Sequence, residues 1–447
     1  MNMAAFVRAR LLWRRSRRLS REAFEQERLV RFREFAKYVQ RKSPWYRRIM
    51  NERGIDPRTC HPGQFPVLTK KEVIDHFDEI VTEGDVNRRD LETFLHRSQD
   101  PYELFRRRYT VIHTSGSSGE VGYFIYDPAA WARLLSQIKT SKGLRLSPSG
   151  RQKVAFVGAT QGHFAGVSIS TACNAFPFNL ILKTRTFEVN RPLADTVRGL
   201  NEFQPFRLVG YGTVLRALAD LQLQGELQIS PELVANSGEP LLDSDRAVIE
   251  EAFGKCIRNS YSCSEFGLIA HREPSWRHMQ LLETYLIVEI GSDHILVTSI
   301  SNRVLPLIRY RMNDVLTLVP SDEHAPYRAI GDVLGRVEQL ATFRNRLGKV
   351  DGISPHTINE ILIPHVRRFQ MRLRGPESFE FAVILDPSTN SEERTEALRF
   401  AKEKLKAILR EKGMDNVAFE VLPVDDIPVD LKTGKFRLIV PVPAAPA

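Results

Sequence analysis

Nowhere in the 447 residues does an apolar run approach the roughly 18 positions that a membrane-crossing helix needs, so the pattern excludes a transmembrane span. Cysteine is scarce. The four present, Cys60, Cys173, Cys256 and Cys263, show neither CxxC spacing nor framework density, which argues against structural zinc and disulfide scaffolding and for a reducing, cytoplasmic setting. A secretory signal is not expected either, since no apolar segment with a small-residue cleavage site opens the sequence. Internal repeats and low-complexity tracts are missing. Two common nucleotide fingerprints are missing as well: there is no GxxxxGK[ST], and Gly210-Tyr211-Gly212 lacks the third glycine of a dinucleotide loop.

A basic stripe interleaved with aromatics is also lacking. The net charge is +10, but the excess is concentrated in the first fifty residues, so nucleic acid is not the expected partner. There, Arg8, Arg10, Arg14, Arg15, Arg17 and Arg18 alternate with Phe6, Leu11, Leu12 and Trp13, a pattern compatible with a helix resting on anionic lipid. The simpler expectation for residues 1–20 is a loose, solvated terminus.

What is present suits a globular protein of two or three domains, with 42% hydrophobic residues. Glu22 to Gln40 aligns Leu29, Phe32, Phe35, Ala36 and Val39 on one helical face, ending before Pro44. Thr69-Lys70-Lys71-Glu72 is a capping box that opens a second helix, with Val73, Ile74 and Phe77 directed inward. Neither element is expected to carry chemistry.

From Lys153 the periodicity alternates. Strands are predicted at Val154–Val157, Phe206–Val209, Leu233–Ala235 and Cys256–Tyr261, with helices at Ala194–Phe203, Thr213–Gln224 and Asp243–Phe253. Such alternation predicts an α/β domain with a mostly parallel, helix-covered sheet, whose ligands gather beyond the carboxyl ends of the strands. Three polar segments fall there: Gly210-Tyr211-Gly212, Ser237-Gly238-Glu239-Pro240 and Tyr261-Ser262-Cys263-Ser264-Glu265. Strand-like segments dominate Leu281 to Val319. Beyond Arg336 come a strand at Phe379–Leu385, a helix at Glu392–Gly413 and a strand at Val417–Leu422, which predict a small separate domain. The expected division is therefore a basic segment over 1–20, a large domain over 21–335 and a small one over 336–447.

One stretch carries the first chemical signal. Thr114-Ser115-Gly116-Ser117-Ser118-Gly119-Glu120-Val121-Gly122 lies between strand-like Tyr109–His113 and Tyr123–Tyr126. Its three glycines let the backbone present N–H groups to an anion, and its hydroxyls supply further donors, as a phosphate cradle requires. A flexible surface turn uses the same residues.

Taken together and in order, these motifs resemble the adenylate-forming superfamily of acyl-CoA synthetases and adenylation domains, within it the phenylacetate–CoA ligase-like and capsule-biosynthesis-associated branch. Thr114 to Gly119 resembles the phosphate loop, Ser237 to Pro240 the motif before the adenine site, and Tyr261 to Glu265 the Tyr-x-x-Ser-Glu motif. Ile308-Arg-Tyr-Arg-Met-Asn-Asp314, Gly335-Arg336-Val337-Glu338 and Thr433-Gly434-Lys435 follow. The resemblance covers about Trp45 to Arg437. It implies a large N-terminal domain of mostly parallel, helix-covered sheets with a distorted β subdomain, followed by a small mobile α+β lid.

It also implies the chemistry: ATP and Mg²⁺ activate a carboxylic acid as an acyl-adenylate, and coenzyme A accepts the acyl group. Glu265 would hold Mg²⁺, or else be an acid at a helix N-terminus. Asp314 and Arg336 would hold the ribose, Tyr261 and Ser264 would contribute to the nucleotide site, Glu338 would be the hinge, and Lys435 would bridge the carboxylate and the α-phosphate. His163 and Tyr211, in glycine-flanked loops, are candidate pocket residues. The sequence departs from the family pattern at Glu120-Val121, where Lys-Pro is common, and at Glu338, where Asp is common. An amine or hydroxyl acceptor is the alternative enzyme. A degenerate scaffold is the alternative outside catalysis, against which Glu265, Asp314, Arg336 and Lys435 argue.

Overall fold

The computed structural model describes residues 2–114, 121–137, 150–239, 241–273, 275–321, 326–331, 333, 341–348, 350–353, 355–359, 361, 363–427 and 438–442. The chain opens with three helices, α1 (Met3–Ser16), α2 (Arg21–Lys42) and α3 (Pro44–Glu52). The basic terminus is thus a helix and not the loose segment expected, because Ala9 and Ser16 are buried against the body and Phe6 meets Phe178 edge-on at 5.4 Å. Ser20 caps α2, and Phe24, Phe32, Phe35, Ala36 and Val39 line its inward face. Each fully buried phenylalanine there contributes about 1.5–3 kcal/mol. Ser43 ends α2 with its backbone and caps α3 with its side chain, so the two helices meet at one residue.

Short helices α4 (Lys70–Asp75), α5 (Phe77–Ile80) and α6 (Arg88–Arg97) follow, the first opened by the Thr69–Glu72 capping box that the sequence predicts. Strands β1 (Thr110–His113) and β2 (Tyr123–Tyr126) pair antiparallel, and α7 (Pro128–Gln137) comes next. The alternating region then runs β3 (Gln152–Gly158), α8 (Ala165–Ala172), β4 (Leu182–Glu188), α9 (Leu193–Phe203), β5 (Arg207–Gly210), α10 (Gly212–Leu223), β6 (Leu233–Ser237), α11 (Asp243–Phe253), β7 (Arg258–Cys263). Strands β4, β3, β5, β6 and β7 lie side by side and pair parallel. Their helices bury Leu200, Leu215, Leu218 and Ile249 against Leu208 and Val234, so the sheet is helix-covered as predicted.

Beyond β7 the pairing reverses. Strands β8 (Gly267–Arg272) and β9 (Met279–Leu281) continue the sheet antiparallel, β10 (Leu286–Ile290), β11 (Ile295–Ser299) and β12 (Tyr310–Met312) form a second sheet, and β13 (Leu318–Val319) and β14 (Ala329–Ile330) close the edge of the first. Buried Glu283, between β9 and β10, accepts from Arg21, Arg28 and Arg328 and so fastens α2 to these strands.

The last part of the chain has its own hydrophobic cluster, built from residues between Ala341 and Ile439. A hairpin of β15 (Ala341–Arg344) and β16 (Val350–Ile353) leads through α12 (Pro355–Asn359) to β17 (Val366–Gly375), β18 (Ser378–Leu385), α13 (Ser391–Glu411), β19 (Ala418–Pro423) and β20 (Ile439–Pro441). Strands β18 and β19 are parallel across α13, the βαβ arrangement expected. A polar seam joins this part to the loop before α9: buried Lys412 donates to the carbonyls of Val189 and Arg191 at 2.9 and 3.1 Å, and Asp351 accepts from the Leu193 amide at 2.9 Å.

Candidate active site

Parallel pairing puts the carboxyl ends of β5, β6 and β7 on one edge of the sheet, which brings the three polar segments together. Ser237, the last residue of β6, and Ser262 on β7 bring their hydroxyl oxygens within 3.1 Å. Gly238 then turns the chain at φ +90°, a conformation that a side chain would strain. Its neighbour Glu239 points to the start of α10, where its Oε2 accepts from the Thr213 amide and hydroxyl at 2.9 and 2.8 Å. The helix has no side-chain cap of its own, so this carboxylate satisfies an orphan amide and complements the dipole.

The next segment is a hairpin turn. Glu265 sits between β7 and antiparallel β8, so its alternative as an acid at a helix N-terminus is overturned. Two carboxylates meet here from distant parts of the sequence, each held by a tyrosine of the other's motif. Tyr261 donates to Asp314 Oδ2 at 2.9 Å, and Tyr310 donates to Glu265 Oε1 at 3.1 Å. Burial, then the charge of Asp314, holds the Tyr261 phenol well above its usual range, so it stays a proton donor. Tyr310 is itself fixed by aromatic edges from Phe266 and Phe124. Arg309, beside it, is ion-paired to Glu289 and donates to the Phe65 carbonyl, a purely positional role.

The root of the Thr114–Gly122 loop is tied to the same place. Tyr126 donates to the carbonyls of Ser264 and Glu265 at 2.8 and 2.9 Å, fastening β2 to the β7–β8 turn. Thr114 closes the loop's base: its amide donates to the Gly122 carbonyl and its hydroxyl accepts from the Gly122 amide, both at 2.9 Å. Lys70, the first residue of α4, donates its ammonium to the same hydroxyl at 3.3 Å. The capping box was expected to carry no chemistry, yet it sets a cation at the base of a loop whose own sequence lacks one. His113 ends β1 there; burial, partly offset by a hydrogen bond to the Thr114 carbonyl, lowers its pKa to about 4, so it is neutral at neutral pH.

No family model matches the chain. CapK from Staphylococcus aureus is 23% identical over 305 residues, which cover 64% of this chain and 62% of CapK, so the chain spans less than two thirds of that relative. Phenylacetate-coenzyme A ligase from Pseudomonas putida is 23% identical over 361 residues, 72% of this chain and 73% of the ligase. Among solved structures, 2-hydroxyisobutyryl-CoA ligase in complex with 2-HIB-AMP and CoA, in the thioesterification state, matches with a TM-score of 0.61 at 17% identity, over 96% of this chain and 91% of that one. The chain has the fold of the adenylate-forming superfamily. Its relatives lie in the phenylacetate–CoA ligase-like and CapK branches.

The motifs that carry the resemblance converge in part. Thr114, Ser237, Gly238, Glu239, Tyr261, Ser264, Glu265 and Asp314 gather around the sheet edge and the loop root. Glu239 is committed to α10, which makes it a fastening between motif and helix. Ser115, Gly116, Ser117, Ser118, Gly119, Pro240, Arg336, Glu338 and Lys435 lie outside the described residues. Of the two pocket candidates, Tyr211 follows β5, rests its ring against Phe156 at 6.2 Å and accepts from the Ala159 amide. His163 is a correction: it is 1% exposed, hydrogen-bonded to Ser98 at 3.2 Å and packed on Phe94, a core histidine and not a pocket wall. Lys70 and Tyr310 are the residues that motif reading leaves unassigned, and the uncompensated Glu120 is the one sequence signal that points toward Lys70.

Proposed function

We propose that this protein is an adenylate-forming ligase that activates a carboxylic acid with ATP and transfers the acyl group to the thiol of coenzyme A. The observation that carries the reading is the reciprocal pair Tyr261–Asp314 and Tyr310–Glu265, which presents two oriented carboxylates beside the root of a hydroxyl- and glycine-rich loop. In the first half-reaction a substrate carboxylate oxygen bonds to the α-phosphorus of ATP and pyrophosphate leaves. In the second the thiol sulfur bonds to the acyl carbon, AMP leaves and the thiol proton passes to solvent. Both partners of the first step are anions, so positioning and charge neutralisation dominate its catalysis.

Each residue then has a role. Thr114 and its loop would take the β- and γ-phosphates, with Lys70 adding the cation that Glu120 makes necessary. Asp314, aligned by Tyr261, would accept from the ribose hydroxyls, with Arg336 beside it. Glu265 would hold Mg²⁺ together with the phosphates; among the described residues no cluster of three His, Cys, Asp or Glu side chains offers a metal site of its own. Bound there, Mg²⁺ would neutralise charge on the phosphate oxygens. Residues 336–447 would be a lid turning at Glu338, a division that the separate cluster between Ala341 and Ile439 favours. Lys435 would reach the α-phosphate in one of its positions.

The test is carboxylate-dependent exchange of labelled pyrophosphate into ATP across a panel of acids, followed by assay of free coenzyme A thiol with each active acid. Exchange with at least one acid and matching loss of thiol are expected. Exchange without thiol loss moves the acceptor to an amine or hydroxyl. No exchange, with a melting curve unmoved by ATP and Mg²⁺ at about a hundredfold excess over Kd, where binding adds about 2.7 kcal/mol, returns the chain to a scaffold.

A further inference from the structure

The geometry points to a second surface, unconnected with the nucleotide: the outer face of α1 as a docking site for an anionic membrane surface. The first 21 residues hold seven arginines and no acidic residue, against a net charge of +10 for the whole chain. The helix is bound to the body by one side only, through Ala9, Ser16 and the Phe6–Phe178 contact. On the other side Met3, Val7 and Leu11, spaced by one turn, are 37%, 45% and 57% exposed. Arg14 continues that line, Arg8 flanks it and Arg18 lies in the turn just after the helix, all three exposed. Where Phe6 touches Phe178, the loop on either side of Phe178 exposes Phe176 at 72% and Leu180 at 59%.

Apolar side chains held in water beside exposed arginines suit one kind of partner. At a bilayer interface the apolar groups leave water at headgroup depth while the guanidiniums reach phosphates on long flexible stems. The occupant is a lipid surface and not a spanning segment, because among the described residues no helix is long and apolar enough to cross. Nucleic acid would use the arginines but leave Val7, Leu11, Phe176 and Leu180 in water. A second copy of the chain would bring the same arginines against themselves.

The experiment is co-sedimentation of the full chain with phosphatidylcholine vesicles, with and without phosphatidylserine. Sedimentation with the anionic vesicles alone, weakened by salt, is expected. Each basic residue near such a surface raises partition about fivefold, so Arg8→Glu/Arg14→Glu/Arg18→Glu should lose at least about a hundredfold. Leu11→Ser should lose about tenfold on anionic vesicles. Both variants should melt with the wild type, since the substituted side chains face solvent. No sedimentation of the folded wild type, equal sedimentation with neutral vesicles, or undiminished binding by the triple variant overturns the proposal. So does a dimer that Leu11→Ser dissolves without any change in vesicle binding.

Discussion

Replacing Glu283 by glutamine tests how the N-terminal helices are held to the strands that carry the site. The Glu283 side chain is fully buried and faces three guanidiniums: Arg21 at 2.7 Å, Arg28 at 2.8 Å and Arg328 at 3.0 Å. Burial by itself would push its pKa up. The charges and hydrogen bonds of Arg328, Arg21 and Arg28 outweigh burial and hold the carboxyl at about 2, against 4.5 for an ordinary glutamate. At about 1.4 kcal/mol per pKa unit, that difference contributes roughly 3 kcal/mol of stability at neutral pH. A depressed folded-state pKa means that the contribution is complete above the unfolded value and disappears as pH falls toward the folded one. Glu283→Gln should therefore unfold in urea with about 3 kcal/mol less stability than wild type at neutral pH. The gap should narrow steadily between about pH 4.5 and pH 2. A gap that stays constant over that acid range refutes the reasoning, because the stability lost with Glu283 would then not depend on the charge of its carboxylate.

Three further outcomes bear on the site. Lys70→Ala should weaken binding of ATP with Mg²⁺ by ten- to a hundredfold, roughly the worth of one charged hydrogen bond; an unchanged Kd by titration calorimetry would leave the loop without this cation. Tyr261→Phe frees Asp314, so KM for ATP should rise about tenfold while kcat changes little; Tyr310→Phe acts on Glu265 instead and should lower kcat, and equal effects of the two on both constants would dissolve the assignment of roles. Lys435→Ala should reduce pyrophosphate exchange by at least about a hundredfold and leave discharge of a supplied acyl-adenylate intact; exchange at the native rate in a folded variant would make Thr433-Gly-Lys435 a solvated turn.

The parallel core was legible because its signal is local. A helix of the right length between two short apolar runs declares itself through spacing along the chain, and Asp243–Phe253 is a helix over the predicted residues. Strand β4 was not, since Leu182–Glu188 carries polar and charged residues on an edge bonded to β3 alone. Nor was α8, whose small and β-branched residues lack an apolar stripe, or α1, whose order comes from what Ala9 and Phe6 pack against. Motif order in the sequence supplied the chemistry proposed here and most of its candidate residues. Which carboxylate each tyrosine holds was settled in space: Tyr261 and Asp314 are 53 positions apart, Tyr310 and Glu265 are 45, and Lys70 reaches Thr114 across 44. Periodicity is set by neighbours along the chain, whereas a hydrogen bond across such distances depends on strand register and on how elements pack, and no short stretch of sequence contains either.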